Sequence, residues 1–383
     1  MPSEPRTIIN NIAELIEIPS VSSVSPEWDM PNQPVIDWLA ERLEAGRWRV
    51  ELIEVPNKPG KTNLMATLGH GTGGLVLAGH TDTVPCNPER WNSDPFTLAE
   101  RENRLYGLGT ADMKSFLALA MAACTDLDVS ALKSPLIILA TADEESTMAG
   151  ARTLVAAGRP KARFAVIGEP TGLKPVRMHK GILMEAVRVE GRSGHSSNPS
   201  LGANALEGMH EIIAALLRWR ERLQAERRDT AFAVPVSTMN LGHIRGGDNP
   251  NRICDNCELH LDVRMLPGMD RQALREGLRR ESRRAITNNQ LVVNFEALFE
   301  GVDPMCTPAG SELVRAAEQL TGSPAEGVGF ATEAPFLTNL GMEVVVLGPG
   351  HIDQAHQPDE YLELSQIPRS IELLQALIRR FCL

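Results

Sequence analysis

Three apolar runs in this chain end on residues that can bind a metal or move a proton. Residues 75–78 run into Gly79-His80-Thr81-Asp82, 136–140 lead to Asp143-Glu144-Glu145, and 164–167 run into Gly168-Glu169-Pro170. With the runs at 49–55, 63–68 and 343–347 they form a series of short strand-like segments, several of them β-branched and without alternation, separated by helical patterns. This grammar predicts strands covered by helices on both faces and joined into a largely parallel sheet. The carboxyl ends of such strands share one edge, and ligands bind in the crevice there. Side chains far apart in sequence are therefore expected to converge.

Between 180 and 299 the pattern changes. Cys257, Leu259, Leu261 and Val263 alternate with Glu258, His260, Asp262 and Arg264, the period of a strand with one wet face. The predicted order is strand 183–190, a helix after Gly202, strands 236–244 and 257–265, helix 270–285 and strand 291–299, which is the βαββαβ ferredoxin-like arrangement. Because α/β grammar resumes afterwards, 180–299 is expected to be an inserted domain, with 1–179 and 300–383 forming the catalytic one. At roughly 150 residues per domain, the length of 383 residues suits two domains.

Composition narrows the function classes. The formal net charge of −11 has the wrong sign for nucleic acid or anionic membranes. The longest apolar run, 116–124, has 9 residues, against roughly 20 for a bilayer span. The 6 cysteines are scattered, and the opening Met-Pro-Ser-Glu-Pro lacks the basic and apolar stretches of a secretory signal, so a reduced, cytoplasmic protein is expected. The pair Cys254 and Cys257 is single, with Cys257 facing inward, and reads as core. The glycine-rich stretch 107–114 has the spacing of neither nucleotide fingerprint.

That stretch instead enters a helix with Asp112 at the junction, and His356 follows the last strand. His80, Asp112, Glu145, Glu169 and His356 offer two imidazoles and three carboxylates, a mixture suited to Zn²⁺ or Co²⁺. They are too many for one open catalytic zinc. If Asp112 bridges two ions, each with one His and one Glu, three carboxylates and a hydroxide balance two dications. Asp82, two residues after His80, points the same way in extended backbone and is expected to take the His80 ring N–H. Glu144 diverges from Glu145 and is expected to face the water as general base.

The motifs resemble the dinuclear-zinc aminoacylase and carboxypeptidase superfamily. The likeness is carried by His80-Thr81-Asp82-Thr83-Val84-Pro85, Asp94-Pro95-Phe96, Leu105 to Lys114, Gly168-Glu169-Pro170-Thr171 and Gly194-His195-Ser196-Ser197. Thr141 to Glu145, Asn251-Arg252-Ile253-Cys254, Gly348-Pro349-Gly350 and Ala355-His356-Gln357-Pro358-Asp359-Glu360-Tyr361 most resemble its branch that deacetylates N2-acetyl-L-ornithine. The likeness covers nearly the whole chain.

The resemblance implies two Zn²⁺ per subunit, with Co²⁺ able to substitute, one on His80, Asp112 and Glu169 and the other on Asp112, Glu145 and His356, chosen over His351. It also implies catalytic roles for Asp82 and Glu144 and a homodimer formed through the inserted domain. His195 would polarise the scissile carbonyl in the partner's active site, and Asn251 and Arg264 would meet the substrate carboxylate end. The expected substrate is a small N-acyl amino acid, N2-acetyl-L-ornithine in arginine synthesis. Rivals are succinyl-diaminopimelate desuccinylation, another N-acyl-amino-acid hydrolysis or dipeptidase activity; a catalytically silent metal-binding protein fits poorly with an intact Glu144 and a full donor set.

Overall fold

The strands Leu75–His80, Leu136–Thr141, Phe164–Pro170 and Glu343–Gly348 lie side by side and parallel in a computed structural model that describes residues 5–383. Residues 1–4, read above for a leader, lie outside them. Antiparallel pairs flank this parallel centre: Thr62–Leu68 on Leu136–Thr141, Arg49–Glu54 on Thr62–Leu68, and Val176 on Val346. Leu75–His80, Leu136–Thr141 and Phe164–Pro170 are buried at every residue. The apolar run 116–124 fills most of the helix Lys114–Ala123 and its C-cap, and this helix packs with Pro5–Ile16 and Gln366–Cys382 into the core. Fully burying a Leu, Ile or Val contributes roughly 1.5–3 kcal/mol, and a polar group there costs a comparable amount. The sheet can therefore host polar donors only where its strands end.

The described chain divides into two compact units. One holds residues through Arg177 with Thr307–Glu326 and Thr332–Leu383; the other holds Met178–Cys306 with Gly327–Ala331. In the second unit the sheet order is Thr238–Gly246, Asn256–Met265, Gly181–Glu190, Val292–Val302, antiparallel throughout, with helices Ala205–Glu226 and Arg271–Ala285 on one face. This is the ferredoxin-like arrangement. Its core takes Leu183, Val187, Leu259, Leu261 and Val263, and Cys254 and Cys257 are buried within it, unbridged. Asn204 and Asp270 cap the two helices by accepting from Leu206 N and Ala273 N. Among the described residues no helix is long and apolar enough to cross a membrane.

Candidate metal centre

Strand register brings the donors to one edge. His80 pairs with Thr141, and Ala78 with Ile167, so the residues after each strand emerge together. Gly168 is required by close approach: a Cβ there would lie 2.0 Å from Phe116 Cγ, so a larger residue would push the Glu169 strand off the helix beneath it. Asp112 arrives on the 107–113 loop, immediately before the helix Lys114–Ala123. His356 sits beyond the Glu343–Gly348 strand at φ +60, a left-handed backbone that side chains seldom adopt.

Asp112 faces both imidazoles, one with each oxygen. Its Oδ1 is 3.1 Å from His80 Nε2, and its Oδ2 is 3.4 Å from His356 Nε2. His80 Nε2 is also 3.9 Å from Glu169 Oε1, and His356 Nε2 is 3.0 Å from Glu145 Oε1. Donors at about 2.0–2.1 Å from a tetrahedral ion are about 3.3 Å from one another, so these spacings are those of two ligand shells sharing Asp112. Ligand atoms of His80, Glu144 and Glu169, and of His80, Asp112 and Glu145, lie within 4.8 Å of one another. His80, Asp112, Glu144 and Glu169 are buried, whereas the His356 side chain is 51% exposed and opens the cluster to solvent.

The expected role of Asp82 needs correction in one respect. His80 Nδ1 is 2.9 Å from the backbone oxygen of Asp82 and 3.8 Å from its carboxylate, so the carbonyl takes the ring N–H. With Nδ1 committed to that carbonyl, Nε2 is the ring nitrogen that faces Asp112 and Glu169. The carboxylate turns to the next strand end, where Oδ2 accepts from Glu145 N at 3.0 Å. The acidic triplet also separates by task. Asp143, at φ +58, is fully buried and pairs with Lys61 at 2.7 Å and Lys58 at 3.5 Å. Glu144 turns inward and Glu145 meets His356. The lysines take Asp143 out of the set of strand-end residues free to bind a metal, and they come from a loop distant in sequence.

Electrostatics expose an excess of negative charge. Burial, with the nearby carboxylates of Glu145, Asp82 and Asp112, holds Glu144 well above the usual carboxylate range. Glu169 is raised likewise by burial and by Asp112 and Glu144, and Glu145 by burial and Asp112. Burial alone would depress His80, yet Asp112, Glu169, Asp82 and Glu144 hold it well above its ordinary value. Asp112 is lowered because His356 and His80 outweigh its burial. Glu169 Oε1 and Asp82 Oδ1 are buried without a hydrogen-bond partner. Buried carboxylate oxygens without a partner, set beside imidazole nitrogens, are what a cation site requires, and the donor set fits two divalent ions.

The remaining candidates have contacts of their own. His351 packs on Gly172 and meets Gln366 at 3.3 Å, away from Asp112 and Glu145. In the second unit His195 is exposed, with Nδ1 2.7 Å from Ser197 Oγ, and Ser196 N donates to Asn251 O, so His195 and Asn251 share one loop cluster. Arg264 pairs with Asp262 at 2.8 Å on the wet face. It lies opposite Ile182, while the start of its strand, Asn256, lies opposite Glu190. At roughly 3.3 Å per residue the two ends of that strand are about 26 Å apart, and the loop carrying Asn251 leads into its Asn256 end.

Residues 76–380 match Peptidase family M20/M25/M40. The chain belongs to this family. It is 48% identical to an acetylornithine deacetylase of Proteus mirabilis over 98% of this chain and 97% of the relative. It is 46% identical to one of Klebsiella pneumoniae over 97% and 99%. The fold is shared with a Staphylococcus aureus tripeptidase, TM-score 0.76 at 18% identity over 99% of each chain. It is shared too with a Bacillus subtilis protein described as a dinuclear metal binding peptidase, TM-score 0.65 at 16% identity over 98% of each chain. Membership in the family makes the chain a hydrolase acting on amides.

Proposed function

We propose that this chain is a two-ion amide hydrolase that removes the acetyl group from N2-acetyl-L-ornithine, giving L-ornithine and acetate in arginine synthesis. The observation that carries the reading is Asp112, whose two oxygens face His80 and His356 at 3.1 and 3.4 Å. The relatives named as acetylornithine deacetylases, matched over nearly their full length, support the substrate.

His80, Asp112 and Glu169 would hold one ion, and Asp112, Glu145 and His356 the other. Two bound Zn²⁺, or Co²⁺ in their place, would polarise the amide carbonyl and lower the pKa of the attacking water. Glu144 takes the proton of that water and returns it to the leaving amine nitrogen, a task suited to a buried carboxylate held beside the ligand atoms of His80 and Glu169. Asp82 holds the Glu145 backbone, and through it the turn carrying Glu144. In a cytoplasmic homodimer paired through the inserted domain, 180–299, His195 would steady the acyl oxygen in the other protomer's site. Asn251 and Arg264 would meet the substrate carboxylate end.

Turnover of N2-acetyl-L-ornithine, N-succinyl-diaminopimelate and a small dipeptide panel by the purified chain tests the substrate. The reading expects clear preference for acetylornithine in kcat/KM; preference for the succinyl compound or a dipeptide contradicts it.

A further inference from the structure

We propose that Glu360 is the positioning residue for Asp112, tying the loop that supplies Asp112 to the segment that supplies His356. The proposal rests on the two-ion reading above. Glu360 is 1% exposed, and its Oε1 accepts from the backbone N–H groups of Gly109 at 3.0 Å, Ala111 at 2.8 Å and Asp112 at 3.0 Å. Its own backbone oxygen accepts from Gly107 N at 3.0 Å. Amide groups converging on one carboxylate oxygen form an anion-holding concavity, here filled by the protein itself. The convergence depends on Gly109 at φ +87, where a Cβ would also come within 2.9 Å of Lys114 Cδ.

The same carboxylate belongs to the His356 segment. Asp359 Oδ1 accepts from Asn92 N at 2.9 Å, and the next residue but one, Tyr361, pairs with Tyr106 just before the loop begins. Besides its contact with His80, Asp112 is thus held twice by this one segment: at its backbone N–H by Glu360 and at its Oδ2 by His356, four residues upstream of Glu360. His356, Asp112 and Glu360 close a ring of contacts, so a shift of the 107–112 loop moves the shared ligand relative to the second site. Lys114, fully buried at the start of the next helix, donates to Ile18 O and so fixes the far end of the loop.

A buried carboxylate that merely filled space would act differently from one that presents an acceptor at one point. Chelator-stripped full-length protein titrated with zinc against a chromophoric chelator separates the two. Wild type and Glu360→Gln, which keeps an oxygen at the same place, should bind two equivalents with affinities within about threefold. Glu360→Leu, which removes the acceptor, should weaken at least one equivalent by about 10–100-fold. Should Glu360→Leu fail to fold, Glu360→Asp, which keeps the carboxyl group but withdraws the acceptor by one methylene, should show the same loss. Wild-type affinities in Glu360→Leu or Glu360→Asp, or a loss in Glu360→Gln as large as theirs, would overturn the proposal. Fewer than two equivalents on wild type would overturn the two-ion reading itself, and the wild-type titration alone reveals that outcome.

Discussion

The Asp82 carboxylate holds Glu145 rather than the His80 ring: Oδ2 accepts the Glu145 backbone N–H at 3.0 Å, while His80 Nδ1 takes the Asp82 backbone oxygen at 2.9 Å. Asp82→Asn keeps an oxygen for Glu145 N and leaves the backbone contact intact, so kcat should stay within about tenfold of wild type. Asp82→Ala releases the turn carrying Glu144 and should lower kcat by about 10–100-fold. Equal losses in the two variants would mean that the charge, and not the acceptor, is what matters.

Metal content separates holding from chemistry. His356→Ala should bind one equivalent of zinc where wild type binds two, because it removes one ligand from only one of the two shells sharing Asp112. Glu144→Gln should keep both equivalents and lose about 10²–10⁴-fold in kcat, the usual share of a general base. Elemental analysis of the dialysed variants beside their turnover reads both effects. Two equivalents on His356→Ala would contradict the assignment.

The stability of the second unit should depend on His179. The ring is fully buried, its Nδ1 is 2.9 Å from Lys180 O, and burial pushes its pKa down from 6.5 to about 4. Between those values the unfolded chain binds a proton that the folded chain does not. Stability is therefore complete above pH 6.5 and falls as pH drops towards 4, by about 3 kcal/mol at most. Urea unfolding at pH 7 and pH 5 should show a steeper loss in wild type than in His179→Phe. Identical pH dependence in the two would contradict this account.

The parallel strands were readable because burial on both faces removes polar residues from their interiors, leaving uninterrupted runs that stop at His80, Thr141 and Glu169. The ferredoxin-like sheet was readable for the opposite reason, since one wet face makes Cys257 to Arg264 alternate. What escaped was whatever depends on a partner remote in sequence. The small sheet joining Arg104–Tyr106 to Tyr361–Glu363, the Lys61 ion pair of Asp143 and the amide contacts of Glu360 span gaps that no local pattern encodes. Asp82 escaped in detail because its carbonyl and carboxylate compete for one ring nitrogen, and only the fold decides between them.

Hydrolysis of N2-acetyl-L-ornithine before chelation, after chelation and after zinc or cobalt is restored tests the central claim most directly. The account predicts that activity disappears with the chelator, returns with about two equivalents of metal per chain, and cannot be restored in His80→Ala. Activity indifferent to chelation and to His80→Ala would contradict it.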